Sequence, residues 1–271
     1  MMTNLKQKAT KLRQDIIQSL AAAGSGHPGG SLSAIDILTV LYYQEMEITP
    51  ENYAEKNRDH FILSKGHAAP AWYAVLADKG FFPKEDLLQL RKFRNHLQGH
   101  PDRLKTKGVD SSSGSLGQGL SIANGLALAK RLDGNQKKVY VLLGDGELQE
   151  GQIWEAAMTA AHYKLNSVIA LIDNNGLQID GTNQAVMAVE DLGEKFAAFN
   201  WHVLKADGHD LDSLTQAIQQ AKAYEQGPTV IVCNTIKGKG ISFMENQVGW
   251  HGKAPSADEA QQAIVELKEA N

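Results

Sequence analysis

The sequence predicts an α/β fold with a mainly parallel sheet and helices on both faces. Three observations predict it. Apolar runs at residues 139–143 and 167–172 flank a helical stretch at 150–164, which is the pattern of a βαβ unit. Each run ends in a tight, oxygen-rich turn, Gly144-Asp145-Gly146 after the first and Asn174-Asn175 after the second. Further apolar runs then alternate with helical stretches as far as residue 234, as expected of strands covered on both sides.

The elements follow in order. Residues 5–23 carry Leu12, Ile16, Ile17 and Leu20 as a helical stripe. The glycine-bearing loop 24–30 breaks it, and Ser31 is expected to cap a second helix to about Tyr43. Residues 60–63 read as a short buried strand ending at the turn 64–67. Helices are expected over 68–78 and over 84–94, the latter with Pro83 at its start. Residues 98–114 form a long loop rich in Gly, Pro and Ser, a kind that in compact domains is usually functional or disordered. A small-residue helix over 116–131 leads into the central βαβ unit. A helix at 191–199, a strand at 201–206, a helix at 211–225 and a strand at 228–234 follow, then a polar helical tail at 257–270. No repeat, linker or low-complexity tract divides the chain, so a single domain over 1–271 is expected.

Composition narrows the function. With 271 residues, 42% hydrophobic and 21% charged, the chain suffices for one large domain. A net charge of -4 and a pI near 6.1 offer nothing that recruits nucleic acid or an anionic membrane. No apolar run approaches the roughly 18 residues of a membrane span. The start, Met1-Met2-Thr3-Asn4-Leu5-Lys6, is polar and lacks a signal-peptide core. Cys233 is the only cysteine and follows the apolar run 229–232, so it reads as a buried strand residue and the compartment as cytoplasmic.

Crossovers of this kind are right-handed, and ligands of open α/β sheets sit at the carboxyl ends of the strands. Asp145 and Asn175 are therefore expected to face one pocket. A carboxylate and an amide suit a hard octahedral cation such as Mg2+, which commonly shares its shell with phosphate oxygens. The flanking glycines let the backbone approach those phosphates. The chemistry is that of a metal-bridged diphosphate; the plainer reading of Asp145 is a turn aspartate bonding its own backbone.

Gly144-Asp145-Gly146 with Asn174-Asn175 at this distance resembles the thiamine-diphosphate motif. Ser25-Gly26-His27-Pro28-Gly29-Gly30, Ser64-Lys65-Gly66-His67-Ala68, Gly99-His100-Pro101, Gly114-Ser115-Leu116-Gly117-Gln118-Gly119 and Gly249-Trp250-His251-Gly252 stand in the order transketolases have. From about residue 5 to 260 the chain is similar to their diphosphate-binding domain. The resemblance implies the thiamine-diphosphate-binding fold of the diphosphate type. It also implies transfer of a two-carbon ketol unit from a ketose phosphate to an aldose phosphate. The implied cofactors are thiamine diphosphate and Mg2+, with Ca2+ or Mn2+ as substitutes.

By the same resemblance, Asp145, Asn175 and the carbonyl of Leu177 are metal ligands, and the Gly146 N–H meets the diphosphate. His27, His67, His100 and His251 line the substrate channel or contact the cofactor, where imidazoles suit proton shuttling at sugar hydroxyls. Gly114, Leu116 and Ile179 lie against the cofactor, although Leu116 and Ile179 read equally as core. Lys237, in Lys237-Gly238-Lys239-Gly240, departs from most full-length transketolases and is either a diphosphate contact or a solvent lysine. Glu150 and Glu155 are implied to join a carboxylate network at a dimer interface; acids at a helix N-terminus are also favoured by its dipole. Asp173 and Asn174 order the turn or support the ligands. His60, His96, His162, His202 and His209 lie outside the motifs and read as structural. Zinc is a poor fit, because the spacings are wide and no cysteine accompanies the histidines.

Transketolases are usually well over twice this length, with the cofactor between two α/β domains. The chain matches one of them, so it is expected to be the N-terminal subunit of a split transketolase. The pyrimidine-type and C-terminal domains are expected on a partner chain, as an α2β2 heterotetramer that works on sugar phosphates. The glutamate that activates the cofactor belongs to the other domain, so the chain alone is expected to be inactive. A truncated piece of a longer enzyme is the competing reading. The pattern is also open to a ketol transferase for an unusual sugar phosphate or to a non-catalytic thiamine-diphosphate-binding subunit. The α subunit of a 2-oxo acid dehydrogenase shares the Gly-Asp-Gly and Asn-Asn turns but lacks the Ser-Gly-His-Pro-Gly-Gly and Gly-His-Pro loops.

Overall fold

The computed structural model describes residues 5–189 and 191–269. The polar start at residues 1–4 and residue 270 of the expected tail helix lie outside them. In chain order the main elements are α1 (Leu5–Ala23), α2 (Pro28–Val40), β1 (His60–Leu63), α3 (Ala69–Asp78), α4 (Gly119–Leu132), β2 (Val139–Gly144) and α5 (Gly151–His162). There follow β3 (Val168–Asn174), α6 (Asn183–Val186), α7 (Leu192–Ala198), β4 (His202–Asp207), α8 (Leu211–Ala223), β5 (Thr229–Asn234) and α9 (Ala257–Glu269). Among the described residues the strands form one sheet in the order β1-β2-β3-β5-β4, with every pair parallel.

Side chains alternate across that sheet, as a pleat requires. Tyr140, Leu142, Ile169, Leu171, Ile231 and Cys233 point into a core shared with α1, α2, α3, α8 and α9. Val141, Leu143, Ala170, Ile172 and Val230 point into a second core with α4, α5 and α7. Both faces are dry, which is why the strands read as continuous apolar runs. Each fully buried Leu or Ile contributes about 1.5–3 kcal/mol. No helix of the described residues is long and apolar enough to cross a membrane.

Three elements differ from their sequence reading. α2 starts at Pro28 rather than after Ser31, because proline at the first helical position needs no N–H partner. Ser31 caps nothing; its hydroxyl donates to the His27 carbonyl at 2.7 Å. The expected helix over 84–94 is only a 3-10 turn, Lys84–Gln89. Arg91 and Arg94 adopt φ of 62° and 63°, and the Arg91 N–H turns back to the Leu97 carbonyl at 2.9 Å. Burial of Leu87, Leu90 and Leu97 overrides the local helical pattern. α4 begins at Gly119 rather than Leu116, because Gly117 holds φ of +83°, which ends any helix there.

The order of strands sets up the site. The carboxyl ends of β1, β2, β3 and β5 lie side by side and deliver Ser64, Asp145, Asn175 and Thr235 to one edge.

Candidate functional site

The turns after β2 and β3 are stapled by one carboxylate. Asp145 Oδ1 accepts the Gly146 N–H at 2.8 Å, and its Oδ2 accepts the Gly176 N–H at 2.5 Å. Asn175 Oδ1 accepts the Leu177 N–H at 3.2 Å. The Leu177 carbonyl accepts from Lys237 Nζ at 2.9 Å. A carboxylate, an amide and a carbonyl on adjoining turns make a hard oxygen donor set, which fits Mg2+ or a similar cation. Burial, followed by the neighbouring Asp173, pushes the Asp145 carboxyl above its usual range, against the pull of the two N–H groups. A bound cation would relieve that penalty. Among the described residues no three His, Cys, Asp or Glu side chains form a metal-holding group, so a cation here depends on the amide and carbonyl oxygens.

The four motif histidines converge. The His27 ring lies 5.4 Å from His67, 6.3 Å from His100 and 5.6 Å from His251 between centroids, and His67 lies 5.2 Å from His251. Burial first, then Arg91, His100 and Lys237, hold His27 down to about 4. Burial and the Lys237 charge take His251 to about 3. His67 is lowered well below its ordinary value by burial and Lys65, and His100 is lowered by burial and Arg91. All four are thus neutral near pH 7 and can donate from one ring nitrogen while accepting at the other. His27 Nδ1 is buried without a hydrogen-bond partner, an orphaned polar atom within the cluster.

Lys237 is buried and bridges the two halves of the site. Its Nζ meets Leu177 O on one side and His251 Nδ1, at 2.8 Å, on the other. Burial and the nearby Lys65 lower its pKa to about 8. The solvent-lysine reading is therefore wrong: β5 and the turn after it carry the side chain inward.

Sequence reasoning passed over two groups. Lys65, inside the Ser64-to-His67 turn, forms a fully buried ion pair with Asp173, which also accepts from Ser33 and Thr235 hydroxyls. The signal was present, since a lysine within a buried turn requires a counter-charge. Glu147 is also buried: Oε1 accepts the Ser64 hydroxyl at 2.5 Å and the Gly117 N–H at 2.8 Å, and Oε2 accepts the Gly144 N–H at 3.0 Å. It ties the turns after β1 and β2 to the glycine-rich loop before α4. Only its position just past the Gly-Asp-Gly turn could have marked it.

Of the remaining expected residues, Gly114 lies at the cluster. Gly114 passes over His100, where a Cβ would come within 3.4 Å of the imidazole Cγ. Leu116 is half-buried, whereas Ile179 is 66% exposed and so is not core. Glu150, at the N-cap of α5, and Glu155, within it, are exposed and do not join the histidines. His60, His96, His162 and His202 serve local contacts: the Arg58 carbonyl, Asp86, Tyr163 and Tyr224 respectively.

The chain is similar to known proteins along nearly its whole length. Residues 5–268 match the family model "Transketolase, thiamine diphosphate binding domain". The chain is 43% identical over 98% of its length to the 6-deoxy-6-sulfo-D-fructose transketolase subunit SqwG of Clostridium sp. (strain MSTE9), covering 96% of that protein. It is 38% identical over 98% of its length to an apulose-4-phosphate transketolase subunit of Phocaeicola vulgatus, covering 94% of it. Against the human transketolase it is 42% identical over 97% of its length but spans only 42% of that protein. The transketolase of Leishmania mexicana superposes with a TM-score of 0.93 at 30% identity, over 99% of this chain and 42% of that one.

Proposed function

This chain belongs to the transketolase family, and from that premise we propose that it is the N-terminal, diphosphate-binding subunit of a split transketolase. It moves a two-carbon ketol unit between sugar phosphates together with a C-terminal partner chain. The observation that carries the reading is the convergence of four neutral histidines on the turns bearing Asp145, Asn175 and Lys237. The two relatives bearing subunit names are covered almost end to end, which supports a two-chain enzyme.

Thiamine diphosphate, when bound, supplies the nucleophilic carbon for breaking and making a bond beside a carbonyl. Asp145, Asn175 and Leu177 O would hold Mg2+, and the same oxygens suit Ca2+ or Mn2+. The Gly146 N–H and the Lys237 ammonium would meet the diphosphate. Gly114, Leu116 and Ile179 would border the cofactor, and His67 and His251 would contact it. His27 and His100 would receive and return protons at sugar hydroxyls, a role that requires their neutral form. Residues 5–269 act as one diphosphate-type domain. Glu150 and Glu155 lie exposed where a second subunit would add partners, consistent with an α2β2 assembly.

A second reading concerns the substrate. The relatives named for 6-deoxy-6-sulfo-D-fructose and apulose 4-phosphate favour a ketol transferase for a less common sugar. The test is titration of the full chain with thiamine diphosphate and Mg2+, followed by ketol-transfer assays with a panel of ketose donors in the presence of the partner chain. Saturable cofactor binding that Asp145→Ala abolishes supports the reading; binding unaffected by that change refutes it.

A further inference from the structure

The backbone on either side of Lys237 is held by three side chains from distant parts of the sequence. Arg13 of α1 grips Asp36 of α2 through two parallel contacts, Nη1 to Oδ1 at 3.0 Å and Nη2 to Oδ2 at 2.5 Å. His209, in the turn after β4, meets Asp36 Oδ2 through Nδ1 at 2.7 Å. Outside the trio its side chains serve two backbone groups. The Ile236 N–H donates to His209 Nε2 at 2.8 Å, and Arg13 Nε donates to the Lys239 carbonyl at 3.1 Å. Those groups bracket Lys237.

The geometry fixes the histidine tautomer. Nε2 accepts an N–H, so the ring proton sits on Nδ1 and is donated to Asp36. Arg13 and Asp36 are both buried. Burial pushes the Asp36 carboxyl up, but the Arg13 charge and the His209 hydrogen bond outweigh it and leave it below its usual range. Burying such a trio carries a desolvation cost that well-packed apolar side chains would avoid. What the trio adds is a defined path for one short loop. The loop has little freedom elsewhere: the Gly238 N–H donates to Gly29 O at 3.0 Å, and a Cβ on Gly29 would come within 2.9 Å of Lys237 Cγ.

We propose that Arg13, Asp36 and His209 are positioning residues, a buried clamp on both flanks of Lys237 that sets its ammonium for the cofactor's diphosphate. This rests on the cofactor reading given above. The test uses the full chain as wild type, His209→Phe, His209→Gln, Lys237→Met and the double variant His209→Phe/Lys237→Met. Amide exchange at Ile236 and affinity for thiamine diphosphate with Mg2+ are measured on each. His209→Phe should speed Ile236 exchange at least tenfold while the amides of β2 and β3 stay protected. It should weaken the cofactor about tenfold, as loss of a hydrogen bond that orients a charged group does. His209→Gln, which can still accept and donate, should recover part of both and covers the case in which the phenylalanine variant does not fold. The double variant should bind no more weakly than Lys237→Met alone, an outcome that a merely structural histidine would not give. Multiplicative losses, or unchanged Ile236 exchange in the histidine variants, overturn the clamp alone. An unchanged affinity in Lys237→Met overturns the cofactor reading of Lys237 and the clamp's purpose with it.

Discussion

Lys65 and Asp173 form a buried ion pair that reaches across a strand. Lys65 follows β1 and Asp173 belongs to β3, while β2 lies between them. The pair therefore runs beneath the turn that carries Asp145. Asp173→Asn should leave the Lys65 ammonium buried without its counter-charge and cost about 3–5 kcal/mol. Urea denaturation measures it, and a loss under about 1 kcal/mol would show that solvent reaches the pair.

Acid should loosen the fold through the histidine cluster. His27 sits at about 4 in the folded chain, below the ordinary value of 6.5. The unfolded chain therefore binds the extra proton first, and stability should fall as the pH drops from 6.5 towards 4. The slope from this group is at most about 1.4 kcal/mol per pH unit, and less because the ring is partly open to solvent. Denaturation curves at about pH 7, 6 and 5 should show it, with a shallower slope in His27→Asn. Equal slopes in the two proteins would contradict the shift.

Two glycines of α4 should respond in opposite senses. A Cβ at Gly119 would fall 2.4 Å from Ser64 Cβ, so Gly119→Ala should destabilise by about 1–3 kcal/mol or more. At Gly125 nothing lies within 4 Å, so Gly125→Ala should stabilise the helix by up to about 1 kcal/mol. Thermal melts of the two variants check both signs.

These two glycines also mark how far the sequence could be read. The βαβ unit, the parallel sheet and the placing of Asp145 and Asn175 at one sheet edge followed from apolar runs and their turn residues, whereas the grouping of the motif histidines was an implication of the family resemblance. The ends of elements followed from neither. The first N–H of α4, at Gly119, meets Ser64, 55 residues earlier in sequence, and no local pattern reveals that contact. The segment 84–94 read as a helix, but Leu87 and Leu90 pack with Leu97 in one core and the chain turns back at Arg91. Lys237 looked ambiguous because the groups that its side chain meets, Leu177 O and His251 Nδ1, come from other loops. Glu147 and Lys65 escaped notice for a similar reason: each is a charged residue with partners far away in sequence, Ser64 and Gly117 for Glu147 and Asp173 for Lys65.

Glu147 holds three donors from three segments, so Glu147→Ala should leave those contacts of Ser64, Gly117 and Gly144 unmade and cost at least about 2 kcal/mol. Glu147→Gln, which keeps an acceptor, should lose less. Chemical denaturation distinguishes them, and equal losses would mean that the carboxylate's shape matters rather than its hydrogen bonds.

The decisive measurement is ketol transfer from xylulose 5-phosphate to ribose 5-phosphate with thiamine diphosphate and Mg2+. It is run on this chain alone, on a chain carrying the pyrimidine-type domain alone, and on their mixture. Turnover is expected only in the mixture, with His27→Ala reducing it by about 10²–10⁴-fold. Robust turnover by this chain alone would overturn the division of the active site between two chains.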